Sequence, residues 1–272
     1  MTFDPFFDFE TRGYLRNRFG EKDITIVRRL EHSAFVQGVE QAFAMLSRIE
    51  RLTYHDVLAT HERLFGDLYP WAGQDREETA PDLAVSRGEV LFAHPKDARL
   101  AVEHALRIGR DRIAMRERPG EVMGFLAYGH PFLDGNGRTI MVIHTELAQR
   151  AGVAVDWSAT DKDPYLAALT RELQKPGHGH LDAYLKPFLG RAIGREGLPD
   201  HVARTRGIDG MRSNAVANEV SGSFTDAALQ ARYRQQTQER EVRYNGGDAG
   251  EPGEPATGRN PELGRQASGR KE

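Results

Sequence analysis

The 272-residue sequence predicts a mainly α protein with a short β-hairpin and a disordered C-terminal tail. Three observations carry that expectation. Apolar residues recur at three- to five-residue spacing over long stretches, the period of amphipathic helices. Residues 82–92 break that pattern with two short apolar runs around Ser-Arg-Gly-Glu, which is how a hairpin reads. From residue 245 onward Gly, Pro, Glu and Arg dominate, with no aromatic residue and one leucine, too little apolar surface to offset the entropy of ordering.

In chain order, residues 3–23 read as an N-terminal arm punctuated by Gly13 and Gly20, whose Phe3, Phe6, Phe7 and Phe9 pack on a neighbouring helix. Residues 24–49 follow with Ile26, Leu30, Phe35, Val39, Phe43 and Leu46 on a helical repeat, and Thr53 caps a second helix over 54–65. His55 and His61 lack partners at metal-ligand spacing and read as structural or surface residues. The chain then leaves the helix through Pro70 and Gly73, with Trp71 a core anchor and Arg76 a surface or loop-fixing group. In the hairpin, Asp82, Leu83, Ala84 and Val85 form one arm and Val90, Leu91 and Phe92 the other, with Gly88 in the turn.

A helix over 98–116 with arginines on a solvated face comes next, then helices over 121–129 and 140–149, His144 being a packing or surface group of the latter. Asp156-Trp157-Ser158 starts further helices over 165–173 and 181–193, broken by Pro176-Gly177-His178-Gly179. A last helix over 224–244 has only Leu229, Tyr233 and Val242 as anchors. The expected division is an arm and packing helix over 1–52, a core over 53–193, and a low-complexity tail over 194–272.

Composition excludes several classes. The formal net charge is −3, so no global basic field argues for nucleic acid. Cysteine is absent, which rules out disulfides and thiolate metal sites and fits a reducing compartment. The first ten residues lack the basic and apolar regions of a secretory signal, and no stretch approaches the roughly 18 apolar residues of a membrane span. A cytoplasmic protein without a membrane span is expected, with a signal-independent export route into a host or neighbouring cell left open.

The chemistry gathers in His130-Pro-Phe-Leu-Asp-Gly-Asn-Gly-Arg138, a loop between the helices over 121–129 and 140–149. His130 supplies an imidazole, a group that can accept a proton near neutral pH. Asp134 is the loop's carboxylate, a hard ligand suited to Mg²⁺ shared with substrate phosphates. Gly135, Asn136 and Gly137 permit positive φ and an inward-turned nest of N–H groups, at the start of a helix whose dipole also favours anions. Arg138 adds a planar cationic fork. A plain turn explains any one of these residues, but a base, metal ligand, anion cradle and charge clamp in one segment mark a site.

Residues 130–138 resemble the signature of the Fic (Fido) family, His-x-Phe-x-(Asp/Glu)-Gly-Asn-Gly-Arg, at every fixed position. The Trp71-Ala72-Gly73 stretch resembles the segment upstream of that motif in many members, and in all the resemblance covers residues 14–189. It implies a helical bundle with a hairpin flap, and Mg²⁺-dependent transfer of AMP from ATP to a Tyr, Thr or Ser hydroxyl of a target protein. His130 would then be the general base and Asp134 the metal ligand. Gly135, Asn136, Gly137 and Arg138 would hold the nucleotide phosphates, and Phe132 would anchor the loop in the core. The flap, residues 82–92, would align the target by strand addition.

One position departs from the pattern. Many members carry a second arginine three residues after the first, and Met141 stands there. A thioether does not replace a guanidinium, so a different donor (phosphate, UMP or phosphocholine) or a catalytically silent Fic-fold binding protein are the alternatives. Neither Ser33-Ala-Phe-Val-Gln37-Gly38 nor Thr237-Gln-Glu-Arg-Glu241-Val242 matches the family's inhibitory Ser/Thr-x-x-x-Glu-Gly/Asn pattern, which leaves room for a separate small antitoxin-like inhibitor as a partner.

Overall fold

The computed structural model describes residues 4–6, 8–208 and 218–245. After a single turn, α1 (Phe9–Arg12), comes the long helix α2 (Ile24–Leu46). Asp23 opens it by accepting the Thr25 N–H at 2.8 Å, supplying a partner that the first helical turn lacks. At its other end the Arg150 guanidinium donates to the carbonyls of Leu46 and Ile49 at 2.8 and 2.7 Å. Phe35, Val39, Phe43 and Leu46 of α2 are buried in the same core as α3 (Tyr54–Phe65), so the N-terminal helix is integral to the bundle. Of the aromatic arm, Phe6 and Phe9 pack edge to face and lean on the core, whereas Phe3 and Phe7 lie outside the described residues.

A short helix α4 (Arg76–Thr79) leads to the hairpin β1 (Leu83–Arg87) and β2 (Val90–Leu91), where Gly88 takes φ 55° as the turn requires. The expected helix over 98–116 is two: α5 (Pro95–Arg110) and α6 (Arg112–Glu117). Asp111 separates them, leaving α5 in an extended conformation and accepting the Ile113 and Ala114 N–H groups at 2.8 and 3.1 Å as the cap of α6.

Helix α7 (Pro119–Gly129) is buried along its whole length and is the hub of the fold, packed by α5 and by α8 (Asn136–Ala151), α9 (Lys162–Gln174) and α10 (His180–Leu185). A helix this apolar belongs in a core, and its single charge, Glu121, is paired with Arg118. Gly120 is required there because a Cβ would meet the Asp182 backbone nitrogen at 2.3 Å.

Two expectations need correction beyond α10. The helix expected over 181–193 stops at Leu185, before Pro187, and the chain forms β4 (Leu189–Arg191). That strand pairs antiparallel with β3 (Val153–Val155), a strand too short to show a period in the sequence. The tail expected to begin at 194 also divides. Helix α11 (Leu198–Ala203) buries Leu198 and Val202 against α2 and α8, then β5 (Asn218–Ser223) joins the hairpin and α12 (Ala227–Asn245) follows. Residues 246–272, where the composition predicts disorder, lie outside the described residues. No helix among the described residues is long and apolar enough to cross a membrane.

Candidate active site

The motif loop is fixed from beneath by buried side chains. Phe132 is fully buried and stacks on the His61 ring at 3.8 Å. His61 in turn bridges two loops: its Nδ1 accepts the Gly73 N–H and its Nε2 donates to the Asp134 carbonyl, both at 3.0 Å. Those partners fix a neutral ring protonated on Nε2, because an amide only donates and a carbonyl only accepts. Burial drives its pKa down to about 3 in agreement. The Trp71-Ala72-Gly73 stretch is thus tied to the motif through one histidine.

Asn136 performs the same service on the other side. Its Oδ1 accepts the Phe132 N–H at 2.9 Å, and its Nδ2 donates to the Phe132 carbonyl at 2.7 Å. With the amide oriented in that way, Nδ2 also donates to His130 Nε2 at 3.3 Å, which leaves the His130 proton on Nδ1. His130 sits in the left-handed region at φ 41°, unusual outside glycine, where it caps the end of α7. Its ring stacks on Phe92 of the hairpin at 4.1 Å. Burial, then the Arg76 and Arg87 charges, hold its pKa well below the usual histidine range, so it is a neutral imidazole at pH 7.

Arg76 is the least conspicuous of these residues in the sequence, and it is completely buried. Its guanidinium donates to the carbonyls of His130 and Ala93 at 2.7 Å each and of Leu83 at 3.1 Å, and its backbone N–H donates to the Pro131 carbonyl at 2.7 Å. The loop-fixing alternative therefore holds, and the surface alternative does not.

The three glycine-region positions act differently from one another. Only Gly135 takes positive φ, at 76°, and a Cβ there would strike Phe65 at 2.6 Å. Asn136 and Gly137 are already helical, and the first intrahelical bond is Thr139 N–H to the Gly135 carbonyl at 3.0 Å. The amides of residues 136–138 precede it and face the loop. A Cβ at Gly137 would meet nothing within 4 Å, so a side chain there would obstruct a ligand and not the protein.

Asp134 lines the cavity above this helix start, its side chain half exposed and 3.9 Å from Arg138. One carboxylate beside an anion nest fits Mg²⁺, which takes few protein ligands and shares substrate phosphates.

What Arg138 meets is invisible in the sequence. Its Nη2 donates to Glu31 of α2 at 3.0 Å, its guanidinium lies over the Phe65 ring at 4.8 Å, and Glu31 also accepts from the Tyr69 hydroxyl. Burial and the Asp134 charge raise Glu31 to a pKa of about 7 against the pull of Arg138. Only the spacing of Glu31 from Phe35 on the buried face of α2 could have signalled it, and a charge there reads as a solvated residue.

The cavity holds about 330 Å³. His130 and the nest form its polar wall, and Met141, Trp157, Tyr165 and Leu166 its apolar one, with Arg28, Lys162 and Arg206 also bordering it. Met141 Sδ accepts the Thr205 hydroxyl at 3.4 Å, so at the position of the missing arginine the cavity wall is a thioether packed on Thr205.

Residues 51–148 match the model of the Fic/DOC family. That stretch corresponds to a Fic domain. It is 32% identical over 169 residues to protein adenylyltransferase VbhT of Bartonella schoenbuchensis, across 58% of this chain and 34% of that protein. It is 30% identical over 122 residues to the probable protein adenylyltransferase y4lH of Sinorhizobium fredii, across 42% of this chain and 61% of that protein. The chain thus spans about a third and about three-fifths of these relatives. The crystal structure of BepC from Bartonella tribocorum with bound AMPPNP superposes with a TM-score of 0.57 at 19% identity, over 71% of this chain and all of that one. The Fic fold is therefore shared, and within it residues 130–138 lie at the junction of α7 and α8.

Proposed function

We propose that the chain is a protein adenylyltransferase, in which His130 deprotonates a target hydroxyl that attacks the α-phosphate of ATP in line. The new bond joins the hydroxyl oxygen to the α-phosphorus, the bond to the bridging oxygen of the β-phosphate breaks, and pyrophosphate leaves. The observation that carries the reading is the neutral His130, its Nε2 lone pair held only by a 3.3 Å hydrogen bond from Asn136, beside free helix-start amides. A bond that long is weak, so an incoming hydroxyl can take its place. The names of the relatives, protein adenylyltransferase in each case, point the same way.

The roles divide by chemistry. His130 takes the proton and then stays cationic only while the Arg76 and Arg87 charges are offset by the phosphates. The amides of residues 136–138 and the Arg138 guanidinium stabilise charge that grows on the phosphate oxygens, which is where most of the catalysis of phosphoryl-type transfer comes from. Mg²⁺, when bound, would neutralise the phosphates and orient them, with Asp134 as its protein ligand. The hairpin, from Asp82 through Leu83, Ala84 and Val85 to Val90, Leu91 and Phe92, would align the target.

Intact-mass spectrometry after incubation with ATP and Mg²⁺ tests the reading, with the protein's own hydroxyls as acceptors. A gain of one AMP that disappears in His130→Ala is the expected result. A gain of one phosphate would favour a second reading, transfer from a different donor, for which the Met141–Thr205 contact is the specific motive. A terminal phosphate has no arginine there.

A further inference from the structure

The hairpin is not an open edge. Its strand β1 is central in a three-stranded sheet, with β2 on one side and β5 antiparallel on the other. The register runs from Leu83 opposite Ser223 to Arg87 opposite Asn218, with a shift between Ala84 and Val85. Phe224, just beyond β5, pins that strand: its N–H donates to the Asp82 carbonyl at 2.7 Å and its ring packs on His94 at 4.4 Å. The Ser221 hydroxyl donates to Ser86 at 2.6 Å.

Helix α12 then crosses to the opposite edge. Gln236 imitates a strand there, its Nε2 donating to the Glu89 carbonyl at 2.8 Å and its Oε1 accepting the Leu91 N–H at 3.1 Å. Tyr233 fixes the helix through its hydroxyl, which donates to Asp97 at 2.8 Å. A single segment, residues 218–236, therefore satisfies both edges of the hairpin.

That segment also lies across the approach to the motif. Glu219 and Val220 wall a cavity of about 850 Å³ that His130, Asp134, Asn136 and Gly137 also line. Neither Glu219 nor Val220 carries a hydroxyl. The strand is nonetheless lightly held, with Val220 half exposed and Gly222 at φ 129° breaking the ladder where the register shifts.

We propose that residues 218–223 are a blocking strand in cis: they occupy the edge of Leu83–Arg87, and a target engages only as an extended segment that replaces them antiparallel to β1. The proposal rests on the reading of the hairpin as the docking edge. It specifies the partner's form, a strand whose residue opposite Val85 takes the place of Val220. Tethering keeps β5 at an effective concentration of about mM, so a free strand competes poorly with it.

The test uses the full chain, its Glu219→Pro and Phe224→Ala variants, and a fluorescent peptide of residues 217–225 bearing Val220→Tyr. Val85 turns its carbonyl to Phe92, so it is Ser86 that faces β5, opposite Glu219. Proline at 219 removes the strand N–H on that side, and loss of Phe224 frees the end of β5 by a separate route, so one variant suffices if the other misfolds. Fluorescence anisotropy should show the peptide binding each variant at least tenfold more tightly than the unaltered chain. Equal binding to all three, or binding to none, would overturn the proposal. With ATP and Mg²⁺ added, the variants should place AMP on the peptide tyrosine faster than the unaltered chain does. Tighter binding with no AMP on the peptide would uphold the blocking strand and instead count against adenylyl transfer.

Discussion

The motif loop and the hairpin face one another across the same cavity, yet they are held by opposite means. Beneath the loop, Phe132, His61 and Asn136 are buried and their hydrogen bonds close on backbone groups with few alternatives. Such a network, shielded from water, fixes geometry. The hairpin buries Ala84, Val85, Val90, Leu91 and Phe92 in the core, but its two edges are held by side chains that water can reach, Gln236 on one and Ser221 on the other, and by a strand whose Val220 is half exposed. Pairing of that kind opens at low cost. The contrast teaches that chemistry is preorganised in this fold and access to it is negotiable. Arg76 joins the two halves, since one guanidinium bonds His130 of the loop and Leu83 and Ala93 of the hairpin and its exit.

Removing the proposed base is the largest expected effect. His130→Ala should reduce AMP incorporation by about 10²- to 10⁴-fold, the usual contribution of a general base, while unfolding remains cooperative. Mass spectrometry at matched protein and ATP concentrations reads it. Retention of full transfer would move the base elsewhere.

Arg76→Met tests the joint between the regions. It leaves the carbonyls of His130, Ala93 and Leu83 without their donor in a buried place, which should cost about 3–5 kcal/mol in urea unfolding. A cost under about 1 kcal/mol would mean that loop and hairpin stand independently.

The buried titratable groups sharpen the comparison further. His61 and His144 are neutral in the fold, with pKa values brought by burial to about 3 and about 4. Folded-state values below the unfolded one give stability that is present above about pH 6.5 and lost as pH falls, by about 2 kcal/mol each at pH 5. Glu31 has the opposite sign. Its pKa rises from 4.5 to about 7, so its contribution is complete below 4.5 and is lost as pH rises through 7. Between pH 6.5 and 5 it therefore offsets about 2 kcal/mol of the histidine loss. Glu31→Gln should unmask that loss, giving a steeper fall in stability over this window than the unaltered chain. Parallel lines for the two proteins would show that Glu31 does not take up a proton there.

How far the sequence reveals these parts follows from how local their signals are. The loop is legible because its residue types are contiguous, and the helices because 3.6-residue periods repeat over many turns. The hairpin shows through Gly88 and its two apolar runs. Arg76 and Glu31 are opaque because each meets its partners across long sequence separations, 54 residues to His130 and 107 to Arg138, and a lone charge carries no period. β5 is opaque for a related reason. Asn-Glu-Val-Ser-Gly-Ser has one large apolar residue, and its strand character comes from β1, more than 130 residues away, through a ladder that side-chain pattern does not encode. Gly137 departs from expectation in a smaller way, since it is helical and not left-handed, and a side chain there would meet no protein atom.

The smallest expected effect separates the regions most directly. Glu219→Pro should lower global stability by less than about 1 kcal/mol, because the strand it interrupts buries little and its side chain is exposed. Backbone hydrogen exchange should tell a different story, with amides of residues 83–91 exchanging at least tenfold faster and those of α7 and α8 unchanged. Faster exchange throughout would mean that β5 supports the core. Unaltered exchange at the hairpin would mean that α12, through Gln236 and Tyr233, holds the hairpin without help from β5. Access to the site would then be governed by the helix, and the same measurement on Gln236→Ala would find the opening there.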